Sequence, residues 1–196
     1  YADVVVGAYL NDDGGSNAGE AYVYHGSSSG LPATPGWSDR GEAAGDLTGA
    51  SVASAGDVNG DGYADVVVGA GSFAGEAYVY HGSASGLSAT PDWNATGEGT
   101  SDYFGHSVAS AGDVNGDGYA DVVVGAYYND GGAGSQAGEV YVYQSPGYLA
   151  RGTWESPILN LDDTDGVDWL RLSWNPAVQP LGTSVKAQIG TSSDGT

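Results

Sequence analysis

Two identical stretches, residues 56–70 and 112–126, carry oxygen-bearing side chains at alternate positions of a short loop. Counted from the first Asp, the oxygens fall at positions one, three, five and nine, and a backbone carbonyl at position seven adds a fifth donor. Calcium takes six to eight oxygen ligands at about 2.3–2.6 Å, so this spacing predicts two calcium loops. The predicted ligands are Asp57, Asn59, Asp61, Tyr63 and Asp65 in the first loop, and Asp113, Asn115, Asp117, Tyr119 and Asp121 in the second.

Two other kinds of calcium loop begin in the same way, and the residues that follow argue against both. An EF-hand needs a bidentate Glu at position twelve, where this chain has Val68 and Val124. The segment 64–70 is rich in β-branched residues and is too short for the flanking helix of an EF-hand or a dockerin-like pair. The remaining alternative is a turn rich in Asp, Asn and Gly that binds nothing, since these residues favour turns for backbone reasons alone.

The composition excludes several classes of partner. The chain has 196 residues, with 25 acidic and 4 basic side chains and a formal charge of −21. Such a surface repels phosphate, so nucleic acid is not an expected partner. No apolar run approaches the roughly 20 residues of a membrane helix, so membrane insertion is not expected either. Cysteine is absent, and calcium loops of modest affinity suit an extracellular protein.

The calcium loops belong to a repeat with a period of 56 residues, the separation of Tyr63 and Tyr119. Residues 1–8 copy residues 63–70, so the chain is expected to start in the middle of a repeat, with Asp3 as the remnant of a third, truncated loop. One connection varies in length between repeats, which is typical of a scaffold with a loop-bearing face.

Within one repeat, alternation and turn residues predict four short strands and an all-β fold. Four strands per repeat is the size of a propeller blade. The predicted strands of the central repeat are Ala50–Ala55, Ala64–Ala70, Glu76–His81 and a weaker one at Thr90–Thr96.

These residues resemble the FG-GAP repeat of integrin α-chain propellers. Phe104-Gly105 matches the FG element, Val124-Gly125-Ala126 lies near the GAP element, and the calcium loop falls between them. The resemblance covers residues 1 to about 145 and implies calcium on one face of a seven-bladed propeller. The central repeat has Thr48-Gly49 in place of Phe-Gly, which is expected to weaken packing there. The predicted units are a partial blade at 1–48, blades at 49–104 and 105–145, and the missing blades of the same chain as their partners.

From residue 146 the repeat stops and a different pattern begins. Alternating segments predict the start of a β-sandwich, similar to a jelly-roll module, that is incomplete within 146–196. A cluster between its first two predicted strands is either a solvated acidic turn or another cation site. Its members are Asp162, Asp163, Asp165 and Asp168.

The sequence offers no clear catalytic group. His25 and His81 occupy equivalent repeat positions, which predicts hydrogen bonding at a strand end rather than catalysis. No nucleophile-elbow motif accompanies the many Ser and Asp residues. We therefore expect no catalytic residue and no enzyme within these residues. The repeated Tyr-Val-Tyr segments predict packing between blades.

The resemblance and the loops together predict a secreted or cell-surface module that binds calcium and supports adhesion or ligand recognition. A protein or glycan partner would be held by the variable loops, Tyr9 to Ala18 and Tyr127 to Ala137. The alternative is a non-catalytic accessory region of a secreted hydrolase or lyase whose catalytic domain lies elsewhere.

Overall fold

A computed structural model describes residues 1–129 and 138–145, and these form ten strands without a helix. The strands are β1 (Val4–Ala8), β2 (Glu20–Tyr24), β3 (Trp37–Arg40), β4 (Thr48–Gly56), β5 (Asp65–Ala70), β6 (Glu76–Tyr80), β7 (Trp93–Thr96), β8 (Phe104–Gly112), β9 (Asp121–Ala126) and β10 (Glu139–Tyr143). The predicted sandwich at 146–196, with its acidic cluster, lies outside the described residues, as does 130–137 of the second variable loop.

The strands form three antiparallel sheets, which we call blades 1, 2 and 3. Blade 2 has the order β4-β5-β6-β7, blade 1 has β1-β2-β3, and blade 3 has β8-β9-β10. Neighbours in sequence are neighbours in each sheet, so every blade is a simple meander. The predicted all-β fold of blade-like sheets is confirmed, and the four strands predicted for the central repeat are all present.

The first strand of a complete repeat is longer and less regular than the alternation predicts. The pairing of β4 with β5 shifts register between Thr48 and Ser51 and again between Ser54 and Gly56. Gly49 and Gly56 both have a φ of 82°, a conformation that glycine adopts readily. The glycines therefore allow two bulges that lengthen the strand to Thr48–Gly56. Strands β4 and β8 begin one residue before the predicted starts of their blades.

Blade 2 is buried on both faces because a neighbour covers each of them. Val67 and Val68 are adjacent in β5 and point to opposite faces, and both are fully buried. Val68 and Tyr80 pack with Ala21 toward blade 1, whereas Val67 belongs to the larger cluster around Phe104 toward blade 3. This explains why the β5 sequence reads as a continuous apolar run.

Paired glycines set the close approach of neighbouring blades. A Cβ at Gly69 would lie 1.9 Å from the carbonyl oxygen of Gly105, and one at Gly7 would lie 2.0 Å from that of Gly49. Each pair joins the Val-Gly-Ala segment of one blade to the second residue of the next blade's first strand. The Phe-Gly and Gly-Ala elements therefore contact each other between blades.

Aromatic rings fill the space further out. Trp37 of blade 1 meets Tyr80 of blade 2 edge to face at a centroid distance of 4.8 Å, and Trp93 meets Tyr143 in the same way at 4.7 Å. The predicted packing of the Tyr-Val-Tyr strands between blades is confirmed at both interfaces.

The meander separates the two kinds of loop. The predicted calcium loops, at 57–64 and 113–120, join β4 to β5 and β8 to β9. The variable connections follow the opposite ends of β5 and β9. Because neighbouring strands are antiparallel, the calcium loops lie at one end of the blades and the variable loops at the other.

Candidate metal centre

The first predicted calcium loop is folded around the carboxylate of Asp57. Its Oδ1 accepts the backbone N–H groups of Gly60 at 2.7 Å and Asp61 at 3.1 Å, and its Oδ2 accepts that of Gly62 at 2.9 Å. Gly62 has a φ of 88°, the positive value that the sequence predicts for the sharp bend. Position one therefore organises the turn on which the other donors are placed.

Positions three and five are bonded to each other. Asn59 Oδ1 accepts the N–H of Asp61 at 3.0 Å, and Asn59 Nδ2 donates to Asp61 Oδ2 at 3.0 Å. Asp61 Oδ1 accepts the N–H of Tyr63 at 2.9 Å. Since Asp57 Oδ1 and Asn59 Oδ1 share the Asp61 N–H as donor, and the Asn59 amide also binds the Asp61 carboxylate, hydrogen bonds connect positions one, three and five.

The second loop repeats this arrangement with nearly the same distances. Asp113 accepts N–H groups from Gly116 at 2.7 Å, Asp117 at 3.1 Å and Gly118 at 2.8 Å. The bonds between Asn115 and Asp117 are both 2.9 Å, as is that from the Tyr119 N–H to Asp117. Identical sequences therefore give the same local geometry in different blades.

Position nine differs from the others because it is fully buried. Asp65 Oδ2 accepts the N–H of Val58 and its Oδ1 accepts that of Gly82, both at 2.7 Å. Asp121 is held likewise by the N–H groups of Val114 and Ser145, both at 2.8 Å. Each side chain joins the base of its loop to the end of the third strand of its blade.

This tethering role was not predicted from the sequence. Asp3, at the same repeat position in blade 1, accepts the N–H of Gly26 at 2.8 Å and contacts His25 Nδ1 at 3.2 Å. The available signal was the repeated Asp at the start of a strand combined with a Gly or Ser two residues after each Tyr-Val-Tyr segment.

The surroundings shift the pKa values of these carboxyls in opposite directions. Burial raises the pKa of Asp65, and the N–H groups of Gly82 and Val58 oppose that rise. At the exposed Asp113 the N–H of Gly118 is the main cause of a lowered pKa. The pKa of Asp3 is lowered by the Gly26 N–H and then by His25. The lowered pKa of Asp113 thus favours the ionised form at position one of the second loop.

The donor set of each loop fits a hard divalent cation. Within the described part of the chain, no three acidic or histidine side chains gather as a metal cluster. Each loop instead offers a mixed set that includes an amide oxygen and the carbonyl at position seven. A carboxylate oxygen has two acceptor sites, so it can accept an N–H and still face a cation. Oxygen-only donors of this kind suit calcium better than zinc or copper.

The histidines are placed at strand ends, as the repeat predicts. His81 Nδ1 lies 3.7 Å from Asp92, whose carboxylate also accepts the Ser88 hydroxyl at 2.5 Å. The same hydroxyl contacts the His81 backbone carbonyl, and no described bond joins it to the His81 ring. This grouping therefore lacks the bond between nucleophile and base that a Ser-His-Asp triad requires.

An exposed aromatic cluster lies at the opposite end of the blades. Tyr103, Tyr127 and Tyr128 meet at centroid distances of 4.8–5.5 Å, and the His106 ring lies 4.7 Å from Tyr127. Phe73 of blade 2, 69% exposed, accepts the Tyr103 N–H through its carbonyl. The rings of two connections thus form one cluster, and a backbone hydrogen bond links it to a third connection, a feature that the sequence analysis did not predict.

The long variable connections are anchored by asparagines. Asn11 Nδ2 donates to the Tyr22 hydroxyl at 2.9 Å, and Asn129 Nδ2 donates to the Tyr141 hydroxyl at 2.7 Å. Both asparagines follow the second long strand of their repeat by three residues. The start of each variable loop is therefore fixed to the blade.

Comparison with known proteins identifies the repeat. The FG-GAP repeat family matches residues 48–80 and 104–143. Human integrin alpha-6 is 41% identical over 81 residues, which cover 41% of this chain and 7% of the integrin. Chicken integrin alpha-6 is 35% identical over 135 residues, 64% of this chain and 12% of the integrin.

A relative of a different kind is the bovine phosphatidylinositol-glycan-specific phospholipase D. It is 35% identical over 161 residues, which cover 74% of this chain and 19% of the phospholipase. The chain therefore spans less than a fifth of the length of each of these three relatives. Among the residues that the structure describes, there is no helix long and apolar enough to cross a membrane.

Proposed function

We propose that this chain, which carries two FG-GAP repeats similar to those of integrin α chains, is an extracellular calcium-binding module for adhesion or ligand recognition. The observation that carries the proposal is the paired loop geometry, in which hydrogen bonds connect positions one, three and five in each of two successive blades. Calcium would offset the repulsion among the three carboxylates of each loop.

The residues of each loop would have two roles, binding the ion and joining the loop to its blade. Asp57, Asn59, Asp61, the carbonyl of Tyr63 and Asp65 would hold the ion, and Asp65 would also join the loop to the third strand of the blade. Asp113, Asn115, Asp117, Tyr119 and Asp121 would act in the same way in blade 3. A bound ion would thus connect a loop to the blade and rigidify both.

Ligand recognition is assigned to the variable end of the blades. Two anchored loops begin there, and Tyr127 and Tyr128 of the aromatic cluster are exposed, as is Phe73. Exposed Tyr side chains on anchored connections give a large contact area for little entropy loss. With a charge of −21, the chain would favour a neutral or basic surface on a protein or glycan over a strongly anionic one.

Calorimetric titration of the 196-residue chain with calcium tests the metal assignment. We expect about two ions per chain, and one of them should be lost in Asp61→Ala and the other in Asp117→Ala. Asp12→Ala, in the first variable loop, is a matched control that removes a carboxylate outside the calcium loops and should leave both sites intact. A folded chain that gives no calcium-dependent heat would refute the proposal.

A second candidate function is an accessory region of a secreted hydrolase or lyase. The similarity to the phospholipase favours it, because FG-GAP-like sequence there occurs in a protein named for an enzymatic activity. The two candidates share the calcium sites and differ in what lies beyond them. A catalytic domain found in the same polypeptide would support the accessory role, whereas further adhesion modules would support the first.

A further inference from the structure

The two calcium loops touch each other, and the contacts involve predicted ligands or their direct neighbours in both loops. The backbone N–H of Ala120 donates to the carbonyl oxygen of Asp57 at 2.9 Å. Asp57 is position one of the first loop, and Ala120 lies between positions seven and nine of the second. One backbone hydrogen bond therefore connects a predicted ligand of the first loop to a residue that stands between two predicted ligands of the second.

Side chains add to this contact. A Cβ at Gly60 would lie 2.2 Å from the ring of Tyr119, and one at Gly56 would lie 2.5 Å from the Cβ of Ala120. The Tyr119 ring therefore lies directly against the turn of the first loop, and the Ala120 methyl lies against the residue before Asp57. Only glycine at these two positions leaves room for such an approach.

From these contacts we infer that the two loops bind calcium cooperatively, an inference that rests on the proposed calcium sites. Binding in the second loop fixes the backbone from Tyr119 to Asp121, and with it the N–H that holds Asp57 and the ring that covers Gly60. The first loop is then already ordered when its own ion arrives. The ordering cost is shared, so each ion strengthens the binding of the other.

The amides of Gly62 and Gly118 allow each loop to be observed separately. They occupy position six of their loops and donate to Asp57 and Asp113 at 2.9 and 2.8 Å. With the 196-residue chain labelled with nitrogen-15 at glycine, a calcium titration followed by NMR gives one dissociation constant from each amide.

Removal of one site should weaken the other. In Asp117→Ala we expect the dissociation constant reported by Gly62 to rise about fivefold or more, and in Asp61→Ala that reported by Gly118 should rise by the same factor, since linkage is reciprocal. Asp117→Asn, which keeps the side-chain size, serves the same purpose if the alanine variant is unstable.

Two variants should break the coupling while keeping every ligand. Tyr119→Ala removes the ring but keeps the carbonyl donor, and its matched control is Tyr63→Ala at the same position of the first loop. Gly60→Ala collides with the ring, and its control is Gly116→Ala. The two glycines have similar φ values of 74° and 78°, but a Cβ at Gly116 meets nothing within 4 Å.

The outcomes separate the inference from the function on which it rests. The inference is supported if, in Tyr119→Ala and Gly60→Ala, the two sites no longer affect each other's dissociation constants, while they still do so in both controls. If the dissociation constant of each site stays the same when the other site is removed, the inference is overturned and the calcium assignment is left intact. If neither glycine amide responds to calcium in the folded chain, the calcium assignment itself is wrong.

Discussion

The interface between blades 1 and 2 and the interface between blades 2 and 3 share their backbone contacts but are filled differently. Both have a glycine pair and an edge-to-face pair of Trp and Tyr. They differ at the Phe-Gly position, where Thr48 corresponds to Phe104. They differ again beside the aromatic pair, where Asp39 corresponds to Ala95.

Each interface is completed by a different side chain. Phe104 is buried and contacts Tyr141 and Tyr143 at centroid distances of 5.3 and 6.3 Å. Thr48 is buried too, but it is much smaller, and that interface instead has a hydrogen bond from the Tyr80 hydroxyl to Asp39 at 2.6 Å. The comparison shows that the repeated glycine contacts set the spacing of the blades in both interfaces. Between blades 2 and 3 the packing of Phe104 adds to them, whereas between blades 1 and 2 the hydrogen bond from Tyr80 to Asp39 does so.

The largest expected effect comes from truncating the apolar side chain. Phe104→Ala should lower the free energy of unfolding by about 3–5 kcal/mol, because it leaves a cavity beside two aromatic rings. Thr48→Ala should cost only about 1 kcal/mol. Urea unfolding followed by tryptophan fluorescence measures both values. Equal losses would mean that the two interfaces are filled in the same way.

The shared glycine contacts should be equally sensitive in both interfaces. Gly69→Ala and Gly7→Ala each force a methyl group against a backbone carbonyl and should cost about 1–3 kcal/mol. Gly125→Ala is the control at the same repeat position, because there the methyl meets the movable hydroxyl of Ser107. Thermal melts of the three variants test this, and a Gly125→Ala variant as unstable as Gly69→Ala would contradict it.

The polar bond gives a smaller difference. Tyr80→Phe should cost about 1.5 kcal/mol, since it leaves the Asp39 carboxylate without its hydroxyl donor. Tyr143→Phe should change stability by less than about 0.5 kcal/mol, because Ala95 offers no acceptor. Matching losses in urea unfolding would show that the bond to Asp39 contributes nothing.

The smallest expected effect is a pH dependence at Asp39. Burial raises its pKa above the ordinary value of 3.8, although the Tyr80 hydroxyl opposes the shift. The folded state therefore holds the proton more tightly than the unfolded state, and ionisation above the raised pKa is unfavourable to folding. The stability of the native chain relative to Asp39→Asn should fall as the pH rises from about 3.8 through that pKa. Denaturant unfolding at several pH values measures this difference, and a constant or rising difference would contradict it.

The sequence predicts the parts of the fold that depend on local pattern. The strand predicted at Ala64–Ala70 is found at Asp65–Ala70, and Glu76–His81 is found at Glu76–Tyr80. The last predicted strand, Thr90–Thr96, begins only at Trp93, after Pro91, whose missing N–H and fixed φ disfavour a strand interior. Strand identity thus follows from alternation, whereas the bounds follow from glycine and proline geometry.

Contacts between repeats could not be predicted in the same way. Spacing alone predicts the donors of one loop, because they lie within nine residues of each other. The bonds from Asp65 to Gly82, from Tyr80 to Asp39 and from Ala120 to Asp57 depend on how sheets pack, and no local pattern encodes that. The tether at position nine and the contact between the loops were therefore visible only in the structure.

The central claim, that calcium bound in the loops stabilises the blades, is tested most directly by thermal melts of the 196-residue chain in calcium and in chelator. At a free calcium concentration of about 100 times the dissociation constant, each occupied site should add about 2.7 kcal/mol. We predict that the melting temperature rises with calcium concentration. Asp61→Ala and Asp117→Ala should each lose the part of this rise that comes from the altered site. Superimposable melts of a folded chain in calcium and in chelator would contradict it.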